Sequence, residues 1–346
     1  MASDAAPRAR VSNRNRWLLS ILLGVVAGGV TAQSNLTRAW PRDFTQVWFA
    51  ARSLLARVDP YPLVGPHGAL DWQYPLLYPL TAAVAAIPLA PFPAPIACVM
   101  FSALGGAAFA WALMEHGYAP LFGFFGASLR FAAETAQWSP LLAAAVVVPP
   151  LAVVYAAKPT ISAALFAARP SWWPIVGGLL LSAIAFAIQP HWVSSWLDAI
   201  ARNDRAWLPD VPYRAPIMLP GGVLALACLA RWRRPEARLV AALACIPQTP
   251  MLYETVPLFL VPRSFRETAI LVALSYGVFV WVEAHLPVSR SAAQYLAVSG
   301  PAIALLLFVP ATIMVLRRPN EGAIPPWLER AISGWPPWAR GRRGDA

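Results

Sequence analysis

The chain is poor in charge, in cysteine, in histidine and above all in lysine. Only 12% of its 346 residues are charged, 16 are acidic, and Lys158 is the single lysine. So few ionisable groups cannot cover the surface of a water-soluble domain, which excludes the ordinary globular classes. Cys98, Cys228 and Cys245 fall inside apolar runs without CxxC spacing, so neither a disulfide framework nor a zinc site is indicated and packing roles are expected. The four histidines, at 67, 116, 191 and 285, are scattered, and no HExxH spacing occurs. No DxD pair follows the first apolar run, so no metal and no cofactor are expected. Glycine-rich phosphate loops are also missing. Gly105-Gly106, Gly177-Gly178 and Gly221-Gly222 sit in hydrophobic runs, where small residues let helices approach closely. There is no internal repeat and no low-complexity tract.

What the chain has is apolar length. It is 58% hydrophobic with a mean hydropathy of +0.55, 36 prolines and 16 tryptophans. Apolar runs near the length that crosses a bilayer recur from Trp17 to Leu316, and this predicts an all-α, polytopic integral membrane bundle of about twelve spans. Net charge is +11, and the arginines gather where runs end: 8, 10, 14 and 16, then 231, 233, 234 and 238, then 317 and 318. Such clusters mark cytoplasmic flanks, with membrane lipid rather than nucleic acid as their partner. The first run, Trp17 to Ala32, ends in Val30-Thr31-Ala32 and fits either a cleaved signal peptide or an uncleaved helix. The many later runs favour the uncleaved helix, and in both cases the following loop lies outside the cytoplasm.

The order of runs is then 17–33 outward, 75–91 inward, 95–114 outward, 119–133 inward, and 139–156, 159–168 and 172–189 ending outside. After an outer loop come 214–232 inward, a broken pair at 238–250 and 254–262, 267–284 outward and 296–316 inward. This makes 1–16 a cytoplasmic tail, 17–316 the transmembrane domain with a first outer loop at 34–74, and 317–346 a second cytoplasmic tail. Runs beside Lys158, and those split by Pro247, Pro250 and Pro257, are too short to cross unaided. They read as broken or re-entrant helices, which survive at membrane depth only where protein or a water-filled cavity covers them.

The first outer loop carries a helix of its own. Phe44, Val47, Trp48, Ala51, Leu54, Leu55 and Val58 follow helical spacing, with Gln46, Arg52, Ser53 and Arg57 on the other side. This juxtamembrane amphipathic helix is expected to lie flat on the outer leaflet. A second interfacial helix is expected inside, around Trp327, Leu328, Ala331, Ile332 and Trp335.

The sequence of a first helix, then Asp43-Phe44, the juxtamembrane helix, Asp59-Pro60-Tyr61 and Tyr74-Pro75-Leu76 resembles glycosyltransferase family 87. Weaker echoes follow at Ala136-Gln137, at Lys158-Pro159 and at Thr249-Pro250-Met251-Leu252-Tyr253-Glu254. Where many members of the family carry a histidine pair, this chain has Thr255 and Val256, preceded by Glu254 as a polar substitute. The resemblance implies a GT-C membrane fold in the bacterial cytoplasmic membrane, with its active site outside the cytoplasm. It also implies transfer of a hexose such as mannose from a polyprenyl-phosphate donor to a glycolipid or glycan acceptor. The absence of a nucleotide-binding loop agrees with a lipid-linked donor.

Such a transfer needs a base for the incoming hydroxyl and stabilisation of the departing phosphate. The resemblance makes Asp43 the base. Read locally, Asp43 with Gln46 three residues on is also similar to a capping box, which explains both residue types without catalysis. Asp59, Tyr61, Tyr74, Gln137, Lys158 and Glu254 are the substrate-binding candidates. Asp-Pro-Tyr is equally an ordinary turn signal, tyrosines anchor at interfaces, and a lysine in apolar surroundings can snorkel instead of binding phosphate. Arg214, at the mouth of a span, is a further cation, though boundary arginines are usually topological. A transporter or flippase of a lipid-linked substrate, or a non-catalytic member of the family, fits the broken helices as well.

Overall fold

The computed structural model describes residues 11–37, 42–207, 215–247, 251–286 and 292–322. Arg8, Arg10, Arg214, Thr249, Pro250 and the expected helix around Trp327–Trp335 lie outside the described residues. Thirteen α-helices follow in order among the described residues: α1 (Asn13–Thr37), α2 (Asp43–Leu55), α3 (Leu80–Ala86), α4 (Ala94–Leu113), α5 (Ala127–Glu134), α6 (Ser139–Ala144), α7 (Pro159–Ala168), α8 (Trp173–Ile188), α9 (Trp192–Trp207), α10 (Pro235–Cys245), α11 (Phe265–His285), α12 (Ala292–Ile303) and α13 (Val309–Leu316). Between α2 and α3 a small loop closes with two parallel two-residue strands, β1 (Val64–Gly65) and β2 (Leu70–Asp71).

Four helical stretches are long and apolar enough to cross a membrane: Asn13–Thr37, Ala94–His116, Phe265–His285 and Gln294–Leu316. A fifth arises if α8 and Trp192–Arg202, bent by 95° at their junction, count as one span. The twelve expected runs are therefore not twelve separate crossings among the described residues. Proline is the physical reason. It removes a backbone donor and stops a helix at the residue before it, and Pro140, Pro159 and Pro235 each open a short helix. Intervening segments at Ala119–Phe125, Pro149–Ala157, Gly222–Arg231 and Leu252–Leu260 are wound as 3-10 helices instead.

α1 and α4 pack antiparallel along most of their length. A Cβ on Gly24 would stand 2.7 Å from the Ala103 carbonyl oxygen, and one on Gly106 would stand 2.6 Å from the Ala27 Cβ. At one end Arg16 donates to the Trp111 carbonyl at 2.7 Å, and at the other Asn35 donates to the Pro95 carbonyl at 3.3 Å. This direction corrects the expected path. Residues 75–91 do not carry the chain across the bundle, because α3 starts beside α2 and the chain reaches Phe92, still beside α2, where the Trp48 ring N–H donates to the Phe92 carbonyl at 2.9 Å. The run 139–156 then makes up the missing pass. α6 leads to the end where Arg169 donates to the Val146 carbonyl, Pro149-Pro150 turns the chain, and Pro149–Ala157 returns to Lys158.

Two further corrections follow from burial. Most of the apolar stripe of α2 meets protein rather than lipid: Phe44, Val47, Ala51 and Leu54 are buried, and Phe44 stacks on Phe101 of α4 with ring centroids 4.0 Å apart, while Leu55 and Val58 at its end stay exposed. The expected outer loop after α8 is in large part α9, whose Trp192 and Ala199 are buried. Of the cysteines, Cys98 and Cys228 are buried and Cys245 is exposed.

Candidate functional site

Asp43 is the first residue of α2, and its side chain does not cap that helix. Its N–H donates to the Thr135 carbonyl at 2.9 Å, in the turn between α5 and α6. In that turn Ala136 takes a left-handed conformation (φ 51°), strained for a residue with a Cβ. The carboxylate is left for other partners. Gln46 donates its amide to Oδ1 at 2.7 Å, Tyr78 donates its hydroxyl to Oδ2 at 2.5 Å, and Gln137 bonds to the same carboxylate. The capping-box explanation of the Asp43 and Gln46 pair is therefore replaced by a side-chain cluster.

Lys158 enters the cluster from the break between Pro149–Ala157 and α7. Its Nζ donates to Glu254 Oε1 at 2.7 Å and lies 4.9 Å from the centroid of the Tyr253 ring, which stacks in turn on Phe131. The positive charge of Lys158 reaches Asp43, and the negative charge of Glu254 reaches Tyr78. Asp43, Gln137, Lys158 and Glu254 thus come from four separate segments and gather at one place. Asp43, Tyr78, Lys158 and Tyr253 keep part of their surface accessible, although Asp43 and Tyr78 are crowded on every side. Gln137 Oε1 and Glu254 Oε2 are buried and have no hydrogen-bond partner among the described residues.

The surroundings of Asp43 act on its carboxyl in opposite directions. Burial pushes its carboxyl above the usual carboxylate range, while the Lys158 charge and the hydrogen bonds from Tyr78, Gln46 and Gln137 pull the other way. Burial wins. A carboxylate so placed binds a proton more readily than a free aspartate does and still has a cation close by. The Lys158–Glu254 pair holds its position strongly, because removing one partner of a buried pair strands the other charge at a cost of about 3 kcal/mol or more.

Asp59 and Tyr61 stand one layer behind. Asp59 Oδ1 accepts from the Tyr61 N–H at 2.9 Å, the turn its sequence signals, and Oδ2 accepts from Ser195 of α9 at 3.0 Å. Tyr61 is buried and donates its hydroxyl to the Tyr78 carbonyl at 3.2 Å; burial, followed by the nearby Asp59, raises the proton affinity of that hydroxyl. Tyr74 lies with its backbone against Gly65 and its side chain half-buried. The residue that sequence reasoning missed is Tyr78. The signal was present, because Tyr-Pro-Leu occurs twice, at 74–76 and at 78–80.

A second polar cluster occupies the opposite end of the bundle. Glu236 at the start of α10 accepts from Arg263 at 2.6 Å and also pairs with Arg318 and Arg234. Burial opposes its ionisation, but these arginines hold its carboxyl below the usual range. Glu115, His116, Arg169, Glu236 and Arg263 line a cavity of about 80 Å³ there. Arg238 donates to the carbonyls of Ala167 and Ala168, and Arg318 to that of Val261. The flanking arginines therefore brace the ends of segments as well as carrying charge. Among the described residues no group of three or more His, Cys, Asp and Glu gathers as metal ligands. Comparison with protein-family models, with curated proteins and with solved structures finds no match.

Proposed function

We propose that this chain is an integral membrane glycosyltransferase of the GT-C type. It moves a hexose such as mannose from a polyprenyl phosphate to a hydroxyl of a glycolipid or glycan. The observation that carries this reading is the convergence of Asp43, Gln137, Lys158 and Glu254, from four separate segments, on one polar cluster in which Asp43 and Lys158 stay partly accessible. Asp43 takes the proton of the acceptor hydroxyl as its oxygen attacks the anomeric carbon, and the bond from that carbon to the phosphate oxygen breaks with inversion. Lys158 is the cation beside the base, and the departing phosphate competes with Glu254 for it. Gln137 and Glu254 offer acceptor oxygens to sugar hydroxyls, with Tyr74 at the rim, while Asp59 and Tyr61 support the base from behind. If the arginine-rich end is cytoplasmic, as the positive-inside rule requires, the Asp43 cluster lies on the outer side, as in a bacterial cytoplasmic membrane.

The test is turnover. Purified protein given a labelled polyprenyl-phosphate hexose and membrane glycolipid is expected to release polyprenyl phosphate, and Asp43→Asn is expected to abolish release at unchanged expression. Unaltered release by Asp43→Asn removes Asp43 from the chemistry. The buried Lys158–Glu254 pair between broken helices also suits a transporter of a lipid-linked substrate. Substrate movement across proteoliposomes without bond cleavage favours that second reading.

A further inference from the structure

We propose that Tyr78 is the positioning residue of Asp43, and that Asp59, Tyr61 and Trp196 serve to hold Tyr78 in place. Its consequence for turnover rests on the reading of Asp43 as the base, while its geometry stands by itself. Tyr78 precedes Pro79, which confines its backbone to extended conformations. Its carbonyl accepts the Tyr61 hydroxyl at 3.2 Å, and the preceding carbonyl, of Leu77, accepts the Trp196 ring N–H at 2.9 Å. Tyr61 is tied to Asp59 and Asp59 to Ser195, so α9 and the Asp-Pro-Tyr turn clamp one short segment from two sides.

The clamped segment delivers a phenol to Asp43 Oδ2 at 2.5 Å, within the range of a charge-assisted O–H···O bond. Gln46 meets the other oxygen at 2.7 Å. Two donors on opposite oxygens fix the plane of the carboxylate, and a base that must meet an incoming hydroxyl depends on that alignment. The other ionisable groups around Asp43 are Lys158 at the start of α7, Glu254 and Tyr253 in Leu252–Leu260, Cys98 of α4, and Arg42 beside it in the chain. Beside these groups, Tyr78 is the phenol that donates directly to the carboxylate.

The experiment reads the protonation of Asp43 without relying on turnover. A hydrophobic carbodiimide adds to a protonated carboxyl and leaves a stable N-acylurea, which peptide mass spectrometry of the full chain in detergent assigns to Asp43. Labelling followed against pH gives a midpoint. Tyr78→Phe is expected to raise that midpoint by about one pH unit, a tenfold change in proton affinity, because a hydrogen bond to the ionised form is lost. Should the phenylalanine variant fail to fold, 3-fluorotyrosine at position 78 keeps the ring and makes the hydroxyl a stronger donor, which is expected to lower the midpoint. An unmoved midpoint in the variant that folds overturns the proposal. Turnover by Asp43→Asn alongside a shifted midpoint in Tyr78→Phe sinks the base assignment alone. A fixed midpoint with an inactive Asp43→Asn sinks the role of Tyr78 alone.

Discussion

Asp43 combines two demands that oppose each other. Buried beside α4 and the α5–α6 turn, its carboxyl is favoured in the neutral form, yet a base must be ionised to act. Because its proton affinity is raised by folding, the folded chain binds more protons than the unfolded chain between the two ranges. The stability this provides is complete below the unfolded carboxyl's range and is lost as pH rises through the folded one. Asparagine cannot ionise. Asp43→Asn is therefore expected to match the parent in thermal denaturation in detergent at about pH 3 and to become the more stable protein as pH rises. A gap that stays constant with pH contradicts the raised affinity. Loss of turnover with gain of stability is the trade expected of a group held in an unfavourable state for function.

At the scale of elements, the sequence was most legible where a helix is long and apolar, as in α1, α4 and α11, and least where proline cuts it short. The amphipathic spacing of α2 was readable, but periodicity identifies an apolar stripe without saying whether protein or lipid covers it. Tyr78 went unread although Tyr-Pro-Leu occurs at both 74–76 and 78–80: the motif does not say which tyrosine is held against Asp43, and the clamp by Tyr61 and Trp196 does. Glycine pairs were read as close-packing sites, and the structure divides them. A Cβ on Gly106 would overlap Ala27 and one on Gly177 would overlap the Val153 backbone, whereas Gly178 has nothing within 4 Å, and neither has Gly29 of α1, which lies outside those pairs. Alanine favours a helix over glycine by about 1 kcal/mol, while overpacking costs about 1–3 kcal/mol. Gly29→Ala is thus expected to raise the melting temperature in detergent and Gly106→Ala to lower it. Equal shifts in the two variants dispose of the close α1–α4 contact.

For the whole molecule, the path of the chain turns on whether residues 75–91 cross. Leu80–Leu89 is a ten-residue helical stretch, about 15 Å long, half of a hydrocarbon core of about 30 Å. The structure ties both sides of it to α2, through Tyr78 on Asp43 and Phe92 on Trp48. The extra reversal at Pro149-Pro150 restores the count, which is why the arginine clusters still collect at one end although two runs were misread. Charge placement tests only the parity of crossings, so two compensating errors pass unnoticed. Single cysteines in a background free of Cys98, Cys228 and Cys245 separate the paths. With a membrane-impermeant maleimide on sealed vesicles of known orientation, Arg57→Cys and Phe92→Cys are expected to react from the same face and Glu321→Cys from the opposite one. Reaction of Arg57→Cys and Phe92→Cys from opposite faces restores 75–91 as a span, reverses α4 relative to α1, and removes the contact on which Asp43 and Tyr78 depend.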